Sequence, residues 1–218
     1  MKLQLLATAV LALGVGSAAA QDAGYDWSGV YVGGQLGYVR ANGHFFGTAP
    51  FADNSYPKSN GVSGGLYAGA NYQFGNNVVA GIEADFAWSG ANDRAPVYDP
   101  TGTPWPAFFQ IVQKINRTGA VRGRLGYDIN RWLPYVAGGV AFANVSQRLT
   151  GAAEDWSTTY TGWTLGGGVE YAFTRNVIFR SEYRYSDFGT KTFEAFLAPP
   201  INISLKTHDV RFGVAYKF

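Results

Sequence analysis

From residue 28 onward, apolar side chains recur at every second position rather than every third or fourth. That period places alternate residues on opposite faces of an extended strand. Eight segments carry it: 28–39, 61–74, 78–89, 115–127, 133–145, 160–173, 177–188 and 207–218. Each is close to the roughly ten residues that a tilted strand needs to cross a bilayer. In the first, Val30, Val32, Leu36 and Tyr38 share a face, and Tyr31, Gly33, Gln35 and Gly37 share the other. In the third, Ile82, Ala84, Phe86 and Trp88 oppose Gly81, Glu83 and Asp85. In the last, Val210, Phe212, Val214, Tyr216 and Phe218 oppose Asp209, Arg211, Gly213 and Lys217. The two faces of 133–145 are hard to tell apart; Val136, Val140 and Phe142 are assigned to the apolar one.

The connections alternate in length. Residues 75–77, 128–132 and 174–176 are tight turns rich in Asn, Asp and Gly. Between them lie longer loops at 40–60, 90–114, 146–159 and 189–206. Short turns on one side and long loops on the other predict an eight-stranded antiparallel up-and-down transmembrane β-barrel, with the short turns and both termini in the periplasm. Large aromatics near the strand ends, such as Tyr72, Phe74, Tyr127, Phe173 and Phe179 at one end and Tyr38, Trp88, Trp163 and Tyr183 at the other, form two belts. A soluble lipocalin-like barrel or a β-sandwich shares the period. In those folds the apolar face would point to a core and the charged face to water. Here the charged face is rich in glycine and in oppositely charged pairs, which favours the membrane reading.

The first 20 residues are different. Lys2 precedes an apolar stretch that ends in Ala18-Ala19-Ala20, the pattern of a cleaved signal peptide with the cut between Ala20 and Gln21. Two domains are expected on this basis: a signal peptide at 1–20 and the barrel at 21–218. An uncleaved anchor is the rival reading, but the stretch is short for one. Past residue 20 no run approaches the ~18 apolar residues of a transmembrane helix. There is no cysteine, so no disulfide holds the chain together. Setting Lys2 aside, 16 basic residues face 15 acidic ones, a balance that argues against nucleic acid as a partner.

An eight-stranded barrel is just wide enough for its side chains to fill. The face opposite the apolar one holds Arg122, Arg124, Arg180, Arg184, Arg211 and Lys217 with Glu83, Asp85, Glu170, Glu182 and Asp209. Buried charges are costly unless paired. These residues are expected to pair across neighbouring strands: Glu83 or Asp85 with Arg122 or Arg124, Glu170 with Arg180, and Glu182 with Arg211. The network would plug the lumen. The rival is a charged pore lining, for which one dominant sign would be expected.

Other chemistry finds little support in the sequence. No His, Cys or carboxylate cluster has metal-ligand spacing, so no metal or cofactor is expected. Gly166-Gly167-Gly168 lies within a strand pattern with no helix following, so it reads as close packing rather than a phosphate loop. His208 sits near the outer end of the last strand with Ser204 close in sequence, but no His-x-Ser pairing accompanies it, and no enzyme is expected. The second long loop carries an apolar cluster, Trp105, Phe108 and Phe109, and the first carries His44. These four are candidate binding residues on the outer surface.

Four stretches resemble the small opacity-type outer-membrane proteins of alpha-proteobacteria. They are Tyr25-Asp26-Trp27-Ser28-Gly29-Val30-Tyr31-Val32-Gly33-Gly34, Val121-Arg122-Gly123-Arg124-Leu125-Gly126-Tyr127, Leu133-Pro134-Tyr135-Val136-Ala137-Gly138-Gly139 and Tyr183-Arg184-Tyr185-Ser186-Asp187-Phe188-Gly189. The ending, with Phe212, Val214, Tyr216 and Phe218, resembles the assembly signal read by the barrel-insertion machinery. The resemblance implies a barrel related to the membrane domain of OmpA, without the wall-binding domain that follows it there. It implies a role in envelope integrity at the cell surface, amid outer-membrane lipid and lipopolysaccharide. Two alternatives stay open: a surface receptor for haemin or a host surface, using His44 and the loops, and a narrow diffusion porin. Oligomeric state is not legible.

Overall fold

The computed structural model describes residues 24–46, 58–96, 110–149, 155–195 and 198–218. Their strands are β1 (Gly29–Phe46), β2 (Lys58–Gln73), β3 (Val78–Ser89), β4 (Asn92–Pro96), β5 (Gln110–Tyr127), β6 (Trp132–Leu149), β7 (Asp155–Ala172), β8 (Val177–Ala195) and β9 (Ala198–Lys217). Every pairing is antiparallel, and β1 bonds to both β9 and β2, which closes the sheet. After a break at Gly90 and Ala91, β4 carries on the path of β3 between β2 and β5. The nine strands therefore make eight staves in the order β1, β9, β8, β7, β6, β5, β3 with β4, β2. This closed eight-stranded barrel is the expected fold.

The tight turns fall where turn chemistry placed them. Asn77 and Asn130 take positive φ, at 65° and 59°. Asparagine tolerates that left-handed region better than other non-glycine residues. The outward face is apolar along all the staves. Val30, Leu66, Ile82, Val121, Val136, Leu165, Phe179 and Phe212 are each between 44% and 69% exposed. In water such a continuous apolar girdle would be a liability; in a bilayer it is the solvated surface. Val136, Val140 and Phe142 do face outward, as assigned.

The strands run farther than expected. Parts of all four presumed loops, including 40–46, 110–114, 146–149 and 198–206, continue as strand. In those extensions the two-residue period persists but its phase inverts. On β1 the outward series Val32, Leu36, Tyr38 gives way to exposed Arg40, while inward Val39 and Ala41 are buried. On β6, Ala143 and Val145 point in and Asn144 lies on the outer face. Outside the bilayer the outward side meets water, so polar residues face out and apolar ones fill the interior. The inversion marks the long-loop edge of the apolar girdle.

The interior is layered as a result. One apolar cluster, with Trp27, Val79, Leu133, Ala172 and Ile178, closes the short-turn end. Another, with Val39, Ile115, Val145, Tyr160, Phe188 and Leu205, fills the long-loop end. The charged residues lie between them. Space for large side chains is made by glycines on the inner face: a Cβ at Gly33 would stand 2.5 Å from Cζ of Tyr67 and 2.6 Å from the Val214 carbonyl.

The segment expected to be a signal peptide, with its expected cleavage pair Ala20 and Gln21, and the loop residues Trp105, Phe108 and Phe109 lie outside the described residues. The backbone of His44 is part of β1 and pairs with Ser204, and its side chain lies outside the described residues.

Candidate functional site

Alternation turns Glu83 and Asp85 of β3, Arg122 and Arg124 of β5, Glu170 of β7, Arg180, Glu182 and Arg184 of β8 and Asp209 and Arg211 of β9 inward. All ten are at most 8% exposed. Some of the pairs join adjacent strands. Arg122 Nη2 stands 2.6 Å from Glu83 Oε1, and Arg180 Nη2 2.6 Å from Glu170 Oε1. Arg124 Nη1 reaches Glu83 at 3.5 Å.

The longer reaches matter more. In the closed order of staves, β3 and β8 stand four places apart in both directions and so face each other across the barrel. Arg184 of β8 crosses to Asp85 of β3 with two parallel bonds, both 3.0 Å. This is the fork geometry that makes Arg–carboxylate pairs strong and directional. Arg180 of β8 crosses to Glu83 of β3. Arg122 of β5 donates to both oxygens of Glu182 on β8, at 2.9 and 3.0 Å. Arg211 of β9 donates to Asp85 at 2.9 Å.

Three tyrosines complete the layer. Tyr31 donates to Glu83 at 2.8 Å and accepts from Arg124 at 2.8 Å. Tyr135 donates to Glu182 at 2.7 Å. The Arg124 guanidinium lies 4.2 Å from the Tyr135 ring centre, and that of Arg180 4.1 Å from the Tyr67 ring centre. Aromatic faces attract such cations, the more so away from water.

Two expected details need correction. Glu182 and Arg211 stand opposite each other in register, yet they do not form an ion pair. Glu182 binds Arg122 and Arg184, and Arg211 binds Asp85, with Asp209 at 3.5 Å. Long side chains reach across the axis, and register alone reports only neighbours. Lys217 is not part of the carboxylate network either. It donates to the Ser28 carbonyl at 3.1 Å and to that of Asp26, with its ammonium 4.7 Å from the Tyr25 ring centre.

Lys217 belongs instead to a latch at the short-turn end, which the sequence pattern did not reveal. Trp27 is fully buried there, and its indole N–H donates to Asp128 at 3.1 Å. Gln73 donates to the other Asp128 oxygen at 2.8 Å and accepts from the Trp27 backbone N–H at 2.7 Å. The Ser28 N–H holds the Asp26 carboxyl below its usual range, and burial lifts the Tyr25 phenol to about 12. Alternation sets Tyr31 on the inner face, but its role as a partner of the charges is not legible from the pattern. At the belt nearer the long loops Tyr183 Oη and His208 Nδ1 are 2.7 Å apart, which accounts for His208 as a girdle residue. Phe212, Val214, Tyr216 and Phe218 all face outward. Among the described residues there is no group of three or more His, Cys, Asp or Glu placed to hold a metal ion.

Comparison with known proteins agrees with this architecture. The family described as "Outer membrane protein beta-barrel domain" matches residues 8–218. The chain is 31% identical over 194 residues to the 25 kDa outer-membrane immunogenic protein of Brucella abortus, covering 89% of this chain and 80% of that one. It is 34% identical over 212 residues to the 31 kDa outer-membrane immunogenic protein of Brucella melitensis, covering 89% and 85%. It is 31% identical over 192 residues to a 22 kDa outer membrane protein of Rhizobium leguminosarum, covering 88% and 78%. Among solved structures, the fold is similar to the outer membrane protein OprG from Pseudomonas aeruginosa, with a TM-score of 0.62, 13% identity and coverage of 89% and 98%. It is also similar to Neisserial surface protein A, with a TM-score of 0.51, 19% identity and coverage of 88% and 98%.

Proposed function

The chain belongs to the outer-membrane protein β-barrel domain family, and on that premise we propose that it is a structural surface protein whose lumen is closed and whose long loops face the cell exterior. Both termini then lie in the periplasm. Its partners are the lipids and lipopolysaccharide of the outer membrane and, during biogenesis, the barrel-assembly machinery that reads the outward-facing Phe212, Val214, Tyr216 and Phe218.

The observation that carries closure is the Arg184–Asp85 fork, which joins opposite staves through the barrel axis. An ion path would have to break it. The neighbouring pairs and the apolar clusters above and below leave no polar lining of one sign, which is what selective conduction uses. With the lumen closed, the surfaces left for function are the loops and the girdle.

The test is planar-bilayer conductance of the chain refolded without residues 1–20, with barrel formation confirmed by a heat-dependent gel shift. No channel steps are expected. Reproducible steps would replace this reading with that of a narrow porin.

A further inference from the structure

Outward on the β3–β5–β6 wall, the girdle has a furrow. On β5 the outward positions run Arg117, Gly119, Val121, Gly123, Leu125. Gly119 lies in register between Phe86 of β3 and Phe142 of β6, both outward and both about 40% exposed, at 42% and 41%. The two rings wall a trough whose floor is glycine backbone. Its volume is about 870 Å³. A second hollow of about 290 Å³ lies farther along β5, at Gly123 and Gly138, which pair in register. A Cβ at Gly123 would meet nothing within 4 Å. Gly119 and Gly123 are four residues apart, roughly 13 Å along a strand. Val121, outward and 58% exposed, stands between the two hollows, and an acyl chain passing over it would lie on glycine backbone at either side.

The outer end of the furrow is cationic, and a bulge makes it so. Lys114 and Arg117 are an odd number of residues apart, and in a regular strand they would face opposite sides. The ladder between β5 and β6 shifts between Ile115 and Arg117, with Asn116 the extra residue. A bulge re-aims the side chains beyond it. Ile115 is fully buried in the interior, and Lys114 and Arg117 are both exposed on the outer face. Neither has an ion-pair partner among the described residues. Asn116 donates to Ser146 at 2.7 Å and to Asn144 at 3.3 Å, which sets a band of amides and hydroxyls beside the two cations. Elsewhere on the outer rim, exposed Lys206 is matched by Asp187 at 3.4 Å.

We infer that this furrow and its cationic rim bind one lipid A molecule, with an acyl chain along Gly119 and Gly123 and a phosphate on Arg117 and Lys114. Phosphate on the sugar headgroup answers the uncompensated charge. The band of amides and hydroxyls answers the sugar. The position is that of the outer leaflet, so the assignment rests on the orientation proposed above.

The test refolds the full barrel in neutral detergent, adds lipid A carrying both phosphates, and counts retained lipid by native mass spectrometry. Wild type is expected to retain one molecule. The double variant K114E/R117E and the separate variant Gly119→Phe, which fills the trough, are each expected to weaken retention at least tenfold. Arg40→Glu, on β1 three staves away, is expected to leave it unchanged. All variants are first checked for the heat-dependent gel shift. Dephosphorylated lipid A is expected to bind as weakly to wild type as intact lipid A does to K114E/R117E. Equal retention by wild type and both furrow variants overturns the site. Equal retention of phosphatidylglycerol overturns lipid A as its occupant. Orientation is read separately, by impermeant maleimide labelling of Thr190→Cys and Asn76→Cys in whole cells. Labelling of Thr190→Cys alone is expected. Labelling of Asn76→Cys alone would reverse the topology and place the furrow's rim in the inner leaflet, removing lipid A as occupant whatever binds in detergent.

Discussion

Replacing Glu83 with alanine is expected to destabilise the barrel by about 3–5 kcal/mol, the usual cost of leaving buried charges without their partner. Glu83 accepts from Arg122 at 2.6 Å and Tyr31 at 2.8 Å, and from Arg180. Arg124 stands 3.5 Å away. Its removal takes a carboxylate from three guanidinium groups, leaving Arg122 with Glu182 and making Arg124 and Arg180 share Glu170, in a layer sealed by apolar residues at both ends. Glu182→Ala belongs to the same class, since it takes a carboxylate from Arg122 and Arg184 and leaves the Tyr135 hydroxyl without its acceptor. Equilibrium unfolding in urea, in vesicles or detergent, measures both. The contrast is Asp187→Ala, which breaks the exposed pair with Lys206 and is expected to cost under about 1 kcal/mol. If Glu83→Ala cost no more than Asp187→Ala, the interior charges would have to be hydrated, and the closed-lumen reading would fall with them.

The network also explains what could and could not be read from the sequence. Alternation assigned Glu83, Asp85, Arg122, Arg124, Glu170, Arg180, Glu182 and Arg184 to the interior because lipid tolerates only apolar side chains on the other face. That constraint acts on every residue of the span, so eight staves followed from the pattern, and their facing was plain everywhere but in 133–145, where small residues fill both faces. Pairing was legible only between neighbours. The Arg184–Asp85 and Arg180–Glu83 contacts span 99 and 97 residues and cross the barrel, a distance set by its closed cross-section and not by local spacing. The strand ends were missed for a different reason. Beyond the bilayer the outward side meets water, and the apolar face passes to the inside, as at Val39, Val145 and Leu205. A search for one continuous apolar face stops at the inversion and takes the rest for loop. On β5 the bulge at Asn116 hides the phase again. The Trp27–Asp128–Gln73 latch joins residues from three separate turns and strands, and no local pattern announces it.

The girdle makes the second large prediction, and its dependence on depth identifies the solvent. Leu36 on β1 is 68% exposed between the two aromatic belts, beside outward Phe212 of β9. Leu36→Arg is expected to cost about 2–4 kcal/mol in vesicles, because an arginine near the bilayer midplane must be stripped of water or must distort the membrane around it. Two residues farther along the same face, Tyr38 stands in the outer belt, 52% exposed. Tyr38→Arg is expected to cost only about 0–1 kcal/mol, since the side chain can reach the headgroups. One more step out, Arg40 is already an arginine in the native chain. The three positions share one strand and one exposed face, and the contact that sets Tyr38 apart, its hydroxyl donating to Asn60 at 2.9 Å, works against the expected order because Tyr38→Arg removes it. What changes is distance from the membrane centre. In a soluble barrel all three would project into water, and Leu36→Arg would be nearly neutral or would improve solubility. Equal unfolding free energies for Leu36→Arg and Tyr38→Arg in vesicles would therefore contradict the membrane placement. A steep fall in cost from 36 to 38 would locate the outer interface at the point where the chain's own pattern inverts.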